Sequence, residues 1–112
     1  MAIFQYATYF QNFQFVSGGL VLDISGAQFV AAIRKQKSDP DPPLLTMSTA
    51  TGELTVIDGP NGILQMALTK PQTTKLPLGY VWSDFMRIDQ TDAPRRYFGA
   101  RFTIMLPVTR LP

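Results

Sequence analysis

Short apolar runs alternate with turn-forming residues along the whole chain. Clusters of Gly, Pro, Asn and Asp, such as DGPNG at 58–62, separate these runs at short intervals. This spacing is typical of the strands of β-sandwiches and barrels. The sequence therefore predicts an all-β fold of about seven to eight strands, with no helix of ordinary length. The predicted extended segments are 3–16, 20–24, 27–35, 44–48, 53–57, 63–69, 79–89 and 95–108.

Alternation within these segments predicts which side chains face the core, because successive side chains of a strand point to opposite faces. In each of two segments, apolar residues that share one parity are predicted to point inward. They are Leu64, Met66 and Leu68 in the segment 63–69, and Trp82, Met86 and Ile88 in the segment 79–89. Trp82 is thus predicted to be a core residue. It could instead stack on a sugar ring together with Tyr80, which is the weaker interpretation. Gly99 interrupts the last segment and predicts a β-bulge.

The N-terminal segment is rich in aromatic residues on both parities. Residues 3–16 read IFQYATYFQNFQFV, and neither face is cleanly polar. An extended segment of this kind is expected to contact something on both sides. Two interpretations stay open: a first strand that contributes to its own core, or an arm, residues 1–19, that docks on a neighbouring subunit. Residues 20–112 form the sandwich in either case, so we predict one domain over 1–112.

Composition narrows the class of function. The chain has no Cys and no His, Glu53 is its only glutamate, and only 16% of its residues are charged. It therefore lacks the commonest general base, the commonest metal ligand and any thiolate ligand. Asp39 and Asp41 lie in the loop SDPDPP without a third acid nearby, so no calcium site is predicted. We predict no enzyme activity, no metal and no cofactor.

The same composition predicts a partner surface. A chain that is 46% hydrophobic and rich in aromatic residues would expose apolar area as a lone monomer. Arginines and a tyrosine near the C-terminus, RRY at 95–97 with Arg101 and Arg110, suit a protein interface better than nucleic acid, because the lysines lie elsewhere. The predicted interface residues are Tyr6, Tyr9, Phe10, Phe13, Phe15, Arg95, Arg96 and Arg101.

Four stretches of the chain together resemble a β-sandwich module of tailed-bacteriophage structural proteins. They are LDISGAQFVAAIRK at 22–35, DGPNGILQMALTKPQTTKLPLGYVWSDF at 58–85, FGARFTIMLP from Phe98, and VTR at 108–110. The module is similar to the N-terminal domain of upper baseplate proteins and to small stand-alone virion proteins. The resemblance covers roughly residues 20 to 110, and the aromatic N-terminal segment departs from the pattern. It implies an antiparallel, immunoglobulin-like sandwich in a phage particle, without catalysis.

The sequence thus predicts a non-enzymatic virion protein of the tail, neck or baseplate. Its partners would be copies of itself and other virion proteins, with no membrane and no nucleic acid, and it would assemble in the host cytoplasm. The alternatives are a capsid decoration protein and a carbohydrate-binding module for attachment to the host surface.

Overall fold

The computed structural model describes residues 1–40, 42–88 and 95–107, with the backbone alone at 95–98. Several sequence predictions lie outside the described residues. They are Asp41, the turn at 91–94, the closing VTR at 108–110, and the side chains of Arg95, Arg96 and Tyr97.

The described residues form ten strands and one short helix. The strands are β1 (Ala2–Phe4), β2 (Tyr9–Gln14), β3 (Val16–Ser17), β4 (Leu20–Val21), β5 (Phe29–Arg34), β6 (Leu45–Ser48), β7 (Leu54–Asp58), β8 (Ile63–Leu68), β9 (Gly79–Arg87) and β10 (Arg95–Met105), and the helix is α1 (Lys70–Thr74). Most boundaries fall within a few residues of the predicted segments, because turn-forming residues end the strands. The all-β prediction is confirmed. Tyr6, with a φ of 63°, lies between β1 and β2 and divides the predicted 3–16 segment.

The strands form two main sheets, in which antiparallel pairs predominate. Sheet A has the order β1-β10-β9-β5-β6, and only β1 runs parallel to its neighbour. Sheet B has the order β2-β8-β7, and β3 pairs with β4 in a separate hairpin. The topology therefore places the N-terminal β1 in sheet A and the next strand, β2, at the margin of sheet B.

Aromatic side chains of β2 and the residue after it fill the core between the two sheets. Phe13 packs against Phe85 of β9, with ring centroids 5.3 Å apart. Phe15 stacks on Phe29 of β5 at 5.4 Å. Leu64, Met66 and Leu68 of β8 are buried in the same core, as the alternation predicted. Aromatic and aliphatic burial across this layer is the main source of stability for a domain of this size.

The prediction that Trp82 is a core residue is wrong. Val81, Ser83 and Phe85 are the buried residues of β9, and Trp82 lies half-buried on the outer face of sheet A. Both parities of this segment carry large apolar side chains, so the alternation is ambiguous. Phe85 fills the space opposite β2 and turns the other parity outward.

Two further features differ from the sequence prediction. The connection at 70–78 contains the helix α1. Thr69 caps its N-terminus in a capping box with Gln72, and Pro71 lies in its first turn. The register of β10 against β9 shifts between Arg96 and Phe98, whereas Gly99 itself pairs with Asp84. The predicted bulge thus lies slightly before the glycine.

Gly62, in the predicted DGPNG turn, allows a close approach of the backbone. Its φ is +69°, and a Cβ there would lie 2.5 Å from the carbonyl oxygen of Leu22. The Gly62 carbonyl accepts a hydrogen bond of 2.9 Å from the Phe15 N–H. Only glycine combines this left-handed backbone with this approach.

We expect Phe15→Ala to lower the free energy of unfolding by about 3 to 5 kcal/mol, because it leaves a cavity beside Phe29. Phe10→Ala is the matched control: Phe10 is 64% exposed, and its loss should change stability by no more than about 0.5 kcal/mol. Urea denaturation of both variants measures the difference. Equal losses would contradict the assignment of Phe15 to the core.

Gly62→Ala should destabilise the protein clearly more than Gly18→Ala. Both positions have positive φ, which costs a residue with a Cβ roughly 1 to 2 kcal/mol. At Gly18 nothing lies within 4 Å of the added carbon, whereas at Gly62 it would collide with backbone. Thermal unfolding of the two variants tests this, and similar melting temperatures would show that the close approach at Gly62 relaxes freely.

Candidate functional site

One candidate surface is the open margin of sheet B. Strand β2 pairs with β8 on one side, and no described strand lies beyond it. The Phe15 N–H donates a hydrogen bond to the Gly62 carbonyl, on the side of β2 that faces β8. This bond shows which residues of β2 direct their backbone groups towards β8. Because alternate residues of an antiparallel strand direct their N–H and C=O to opposite sides, Phe10, Asn12 and Gln14 direct theirs to the open side.

The hairpin that follows β2 extends this surface. Val16, Leu20 and Val21 are 52%, 74% and 46% exposed, around a turn at Gly18–Gly19 in which both glycines have positive φ. The first charged side chain of the sequence is Asp23. We call residues 10–21 the uncharged edge.

Natural proteins usually protect an edge strand with lysine, proline or a bulge. Strand β2, with the sequence YFQNFQ, has none of these, and its pairing with β8 is regular throughout. Its open side therefore offers backbone donors and acceptors to another strand, beside the exposed ring of Phe10. One of these acceptors, the Asn12 carbonyl, takes a hydrogen bond of 3.1 Å from the Gln11 side chain, which would have to move aside.

The second candidate surface is the outer face of sheet A. The register aligns Arg101 of β10, Trp82 of β9 and Arg34 of β5 in one row across three strands. The next row contains Gly99, Asp84 and Ala32, two of which have almost no side chain. A row of long side chains beside a row of small ones leaves a concave groove of about 370 Å³. We call it the basic groove.

Cations lie over both aromatic rings beside the basic groove. The Lys37 Nζ is 4.4 Å from the centroid of the Trp82 ring. The Arg101 guanidinium carbon is 4.3 Å from the Tyr80 ring and 5.9 Å from the Trp82 ring. The Arg34 guanidinium donates hydrogen bonds of 3.3 Å to the carbonyls of Asp39 and Pro40, and so holds the loop that includes Lys37. The cation–π contacts of Lys37 and Arg101, together with the hydrogen bonds of Arg34, keep three positive charges at one site.

The charges that line the basic groove are unbalanced. Among the described side chains of its wall, Arg34, Lys37 and Arg101 are cationic and Asp84 alone is acidic. The site therefore attracts anions.

The predicted interface residues do not lie on one surface. Phe10 and Tyr6 are exposed near the sheet B margin, and Arg101 is exposed in the basic groove of sheet A. Phe15 is buried in the chain's own core, and Tyr9 and Phe13 pack against that core. Burial raises the pKa of the Tyr9 phenol. In this structure residues 9–15 thus contribute aromatic rings to the chain's own core.

Sequence reasoning missed the basic groove. Arg34, Lys37 and Asp84 come from β5, a loop and β9, and only the register of β5 against β9 brings them together. The outward residues of β5, Val30, Ala32 and Arg34, carry no signal for a cavity on their own.

No protein-family model matches this chain, and no curated protein is significantly similar to it in sequence. In the part of the chain that the structure describes, no helix is long and apolar enough to cross a membrane.

Arg101 and Tyr80 should be energetically coupled. A double-mutant cycle with Arg101→Gln and Tyr80→Leu should give a coupling of about 0.5 to 1 kcal/mol, the value for an exposed cation–π pair. The control pairs Arg101→Gln with Gln65→Ala on the outer face of sheet B, where the two effects should add. Urea denaturation gives all the free energies. Additive effects in the Arg101 and Tyr80 cycle would mean that their stacking does not stabilise the fold.

Proposed function

We propose that this chain is a non-enzymatic structural protein of a bacteriophage virion, a component of the tail, neck or baseplate, which acts by packing against copies of itself and other virion proteins. The observation that supports this most directly is the uncharged edge. A regular edge strand without protecting residues is a liability for a free monomer, and it becomes useful when another chain covers it.

The strand order supports the immunoglobulin-like interpretation on which the resemblance to phage sandwich modules depends. In such sandwiches one sheet contains strands B, E and D, and the other contains G, F and C. Sheet B, in the order β2-β8-β7, corresponds to the first set, and β10-β9-β5 of sheet A corresponds to the second. Strands β1 and β6 extend sheet A at its two ends.

The chemistry of the acids supports a role without catalysis. Glu53, the only glutamate, accepts hydrogen bonds from the Thr51 hydroxyl and the Ser48 N–H. Burial raises the pKa of Glu53, but these hydrogen bonds outweigh burial and lower it. The Glu53 carboxylate thus stabilises the turn between β6 and β7 through these hydrogen bonds.

The simplest packing is between two copies of β2. The outward N–H and C=O groups belong to Phe10, Asn12 and Gln14, which are evenly spaced about Asn12. Two antiparallel copies of β2 can therefore pair around a two-fold axis at Asn12. Phe10 of each copy would then lie opposite Gln14 of the other. Backbone pairing would supply affinity, and the rings of Phe10 would supply apolar burial. In a particle, many such contacts add together.

Quantitative mass spectrometry of purified phage particles from the source culture tests the proposal. We expect the protein at a fixed ratio to the other structural proteins. A few copies, in multiples of three or six, would place it in the tail or neck, and hundreds would favour the capsid decoration alternative. Its absence from purified particles would contradict the proposed function.

Asn12→Lys should weaken self-association, because it places a charge on the edge that a second β2 must approach. The matched control is Thr55→Lys, which adds the same charge to an exposed position on the same sheet face two strands away. Sedimentation of the purified protein over a range of concentrations measures association, and thermal unfolding checks the fold. Equal effects of both substitutions, or a wild-type protein that stays monomeric throughout, would contradict pairing through β2.

A further inference from the structure

We propose that the basic groove is a binding site for an acidic oligosaccharide, a short sugar chain that bears carboxylate groups. The inference concerns a different surface from the uncharged edge and does not depend on virion assembly. The groove lies on the outer face of sheet A, whereas the edge lies at the margin of sheet B. A copy docked on β2 would leave the groove accessible.

Trp82 in the wall of the groove and Tyr80 beside it offer apolar ring surface to a sugar. Tyr80 is 53% exposed, and Trp82 lies half-buried beside it, two residues along the same strand. A pyranose ring presents a face of C–H groups, which pack on an aromatic ring through dispersion and removal of apolar area from water. Lys37 lies over the Trp82 ring and Arg101 over the Tyr80 ring, so a sugar would pack on the ring area that these two side chains leave exposed.

The charged residues select an acidic ligand that also carries hydroxyl groups. Arg34, Lys37 and Arg101 surround the Trp82 ring and favour carboxylates, which guanidinium groups can bind through two hydrogen bonds. Asp84 lies in the adjacent row. A carboxylate has about four acceptor positions, so Asp84 can accept hydrogen bonds from sugar hydroxyls in addition to contacts within the protein.

The backbone around the groove argues against a peptide as the ligand. Strand β9 lies between β10 and β5, and both neighbours pair with it along the floor of the groove. The floor strands therefore have no free edge, and an extended peptide lying on them would lose the backbone pairing on which such recognition depends. Recognition here must come from side chains, as sugar binding does.

A nucleic acid is also a poor fit. Binding of a single strand needs a continuous track of cations for successive phosphates. Lys70 and Lys75 lie in and next to α1, outside the wall of the groove. The three cations of the groove form one cluster rather than a track.

Trp82 is the only tryptophan of the chain, so its fluorescence reports on this groove alone. The experiment titrates the purified protein with trigalacturonic acid, with neutral maltotriose and with hexaglutamate. We expect a saturable change in Trp82 emission with trigalacturonic acid that weakens as NaCl rises, and binding of the other two at least about tenfold weaker.

Arg101→Gln should weaken binding of trigalacturonic acid about tenfold or more, which corresponds to the loss of one charge-assisted hydrogen bond. Lys75→Gln removes the same charge outside the groove and should change binding less than about twofold. Thermal unfolding confirms that both variants remain folded.

Three results would overturn the inference. They are no change in Trp82 emission with trigalacturonic acid at millimolar concentration, equal binding of maltotriose, and equal or tighter binding of hexaglutamate. The last would assign the groove to an acidic peptide. None of these results bears on particle membership, which mass spectrometry decides separately.

Discussion

The packing of the β2 aromatics against sheet A is the interaction on which the rest of the structure depends. Tyr9 meets Phe102 edge-on at 6.3 Å, Phe13 meets Phe85, and Phe15, just after the strand, stacks on Phe29. Together they join three strands of sheet A to the margin of sheet B. Because side chains alternate along a strand, burying this set fixes Phe10, Asn12 and Gln14 on the solvent side. The same constraint directs their backbone groups away from β8, so the formation of the core creates the uncharged edge.

The same core determines the opposite surface. Phe85 and Val81 are fully buried, and β9 can present only one parity to the interior. Trp82 is therefore turned outward, between Arg101 and Arg34. A tryptophan on an outer sheet face is stabilised when neighbouring side chains shield its ring from water. Lys37 and Arg101 lie over the Trp82 ring and shield part of it.

Local sequence signals were enough to locate most strands but not to orient all of them. Leu64, Met66 and Leu68 alternate with Gln65 and Ala67, and this contrast predicted their burial correctly. In β9 the contrast is absent, because Trp82 and Met86 compete with Val81 and Phe85 as core residues. Which of the two sets faces the core depends on which ring packs against Phe13 of the other sheet. That contact is part of the tertiary structure and cannot be read from β9 alone. Helix α1 had a readable signal in the capping box at Thr69 and Gln72. The basic groove had none, because its residues meet only through strand register.

The distribution of charge explains why the two surfaces would serve different partners. Two copies that met through the basic groove would bring clusters of three cations together, and such a contact costs energy unless an anion lies between them. Two copies that met through the uncharged edge would face no such repulsion, since no charged side chain precedes Asp23. Among the described side chains, charge is thus arranged so that the uncharged edge would permit self-association and the basic groove would disfavour it. In an assembly built through the uncharged edge the groove would face solvent, where it would be accessible to the proposed anionic ligand.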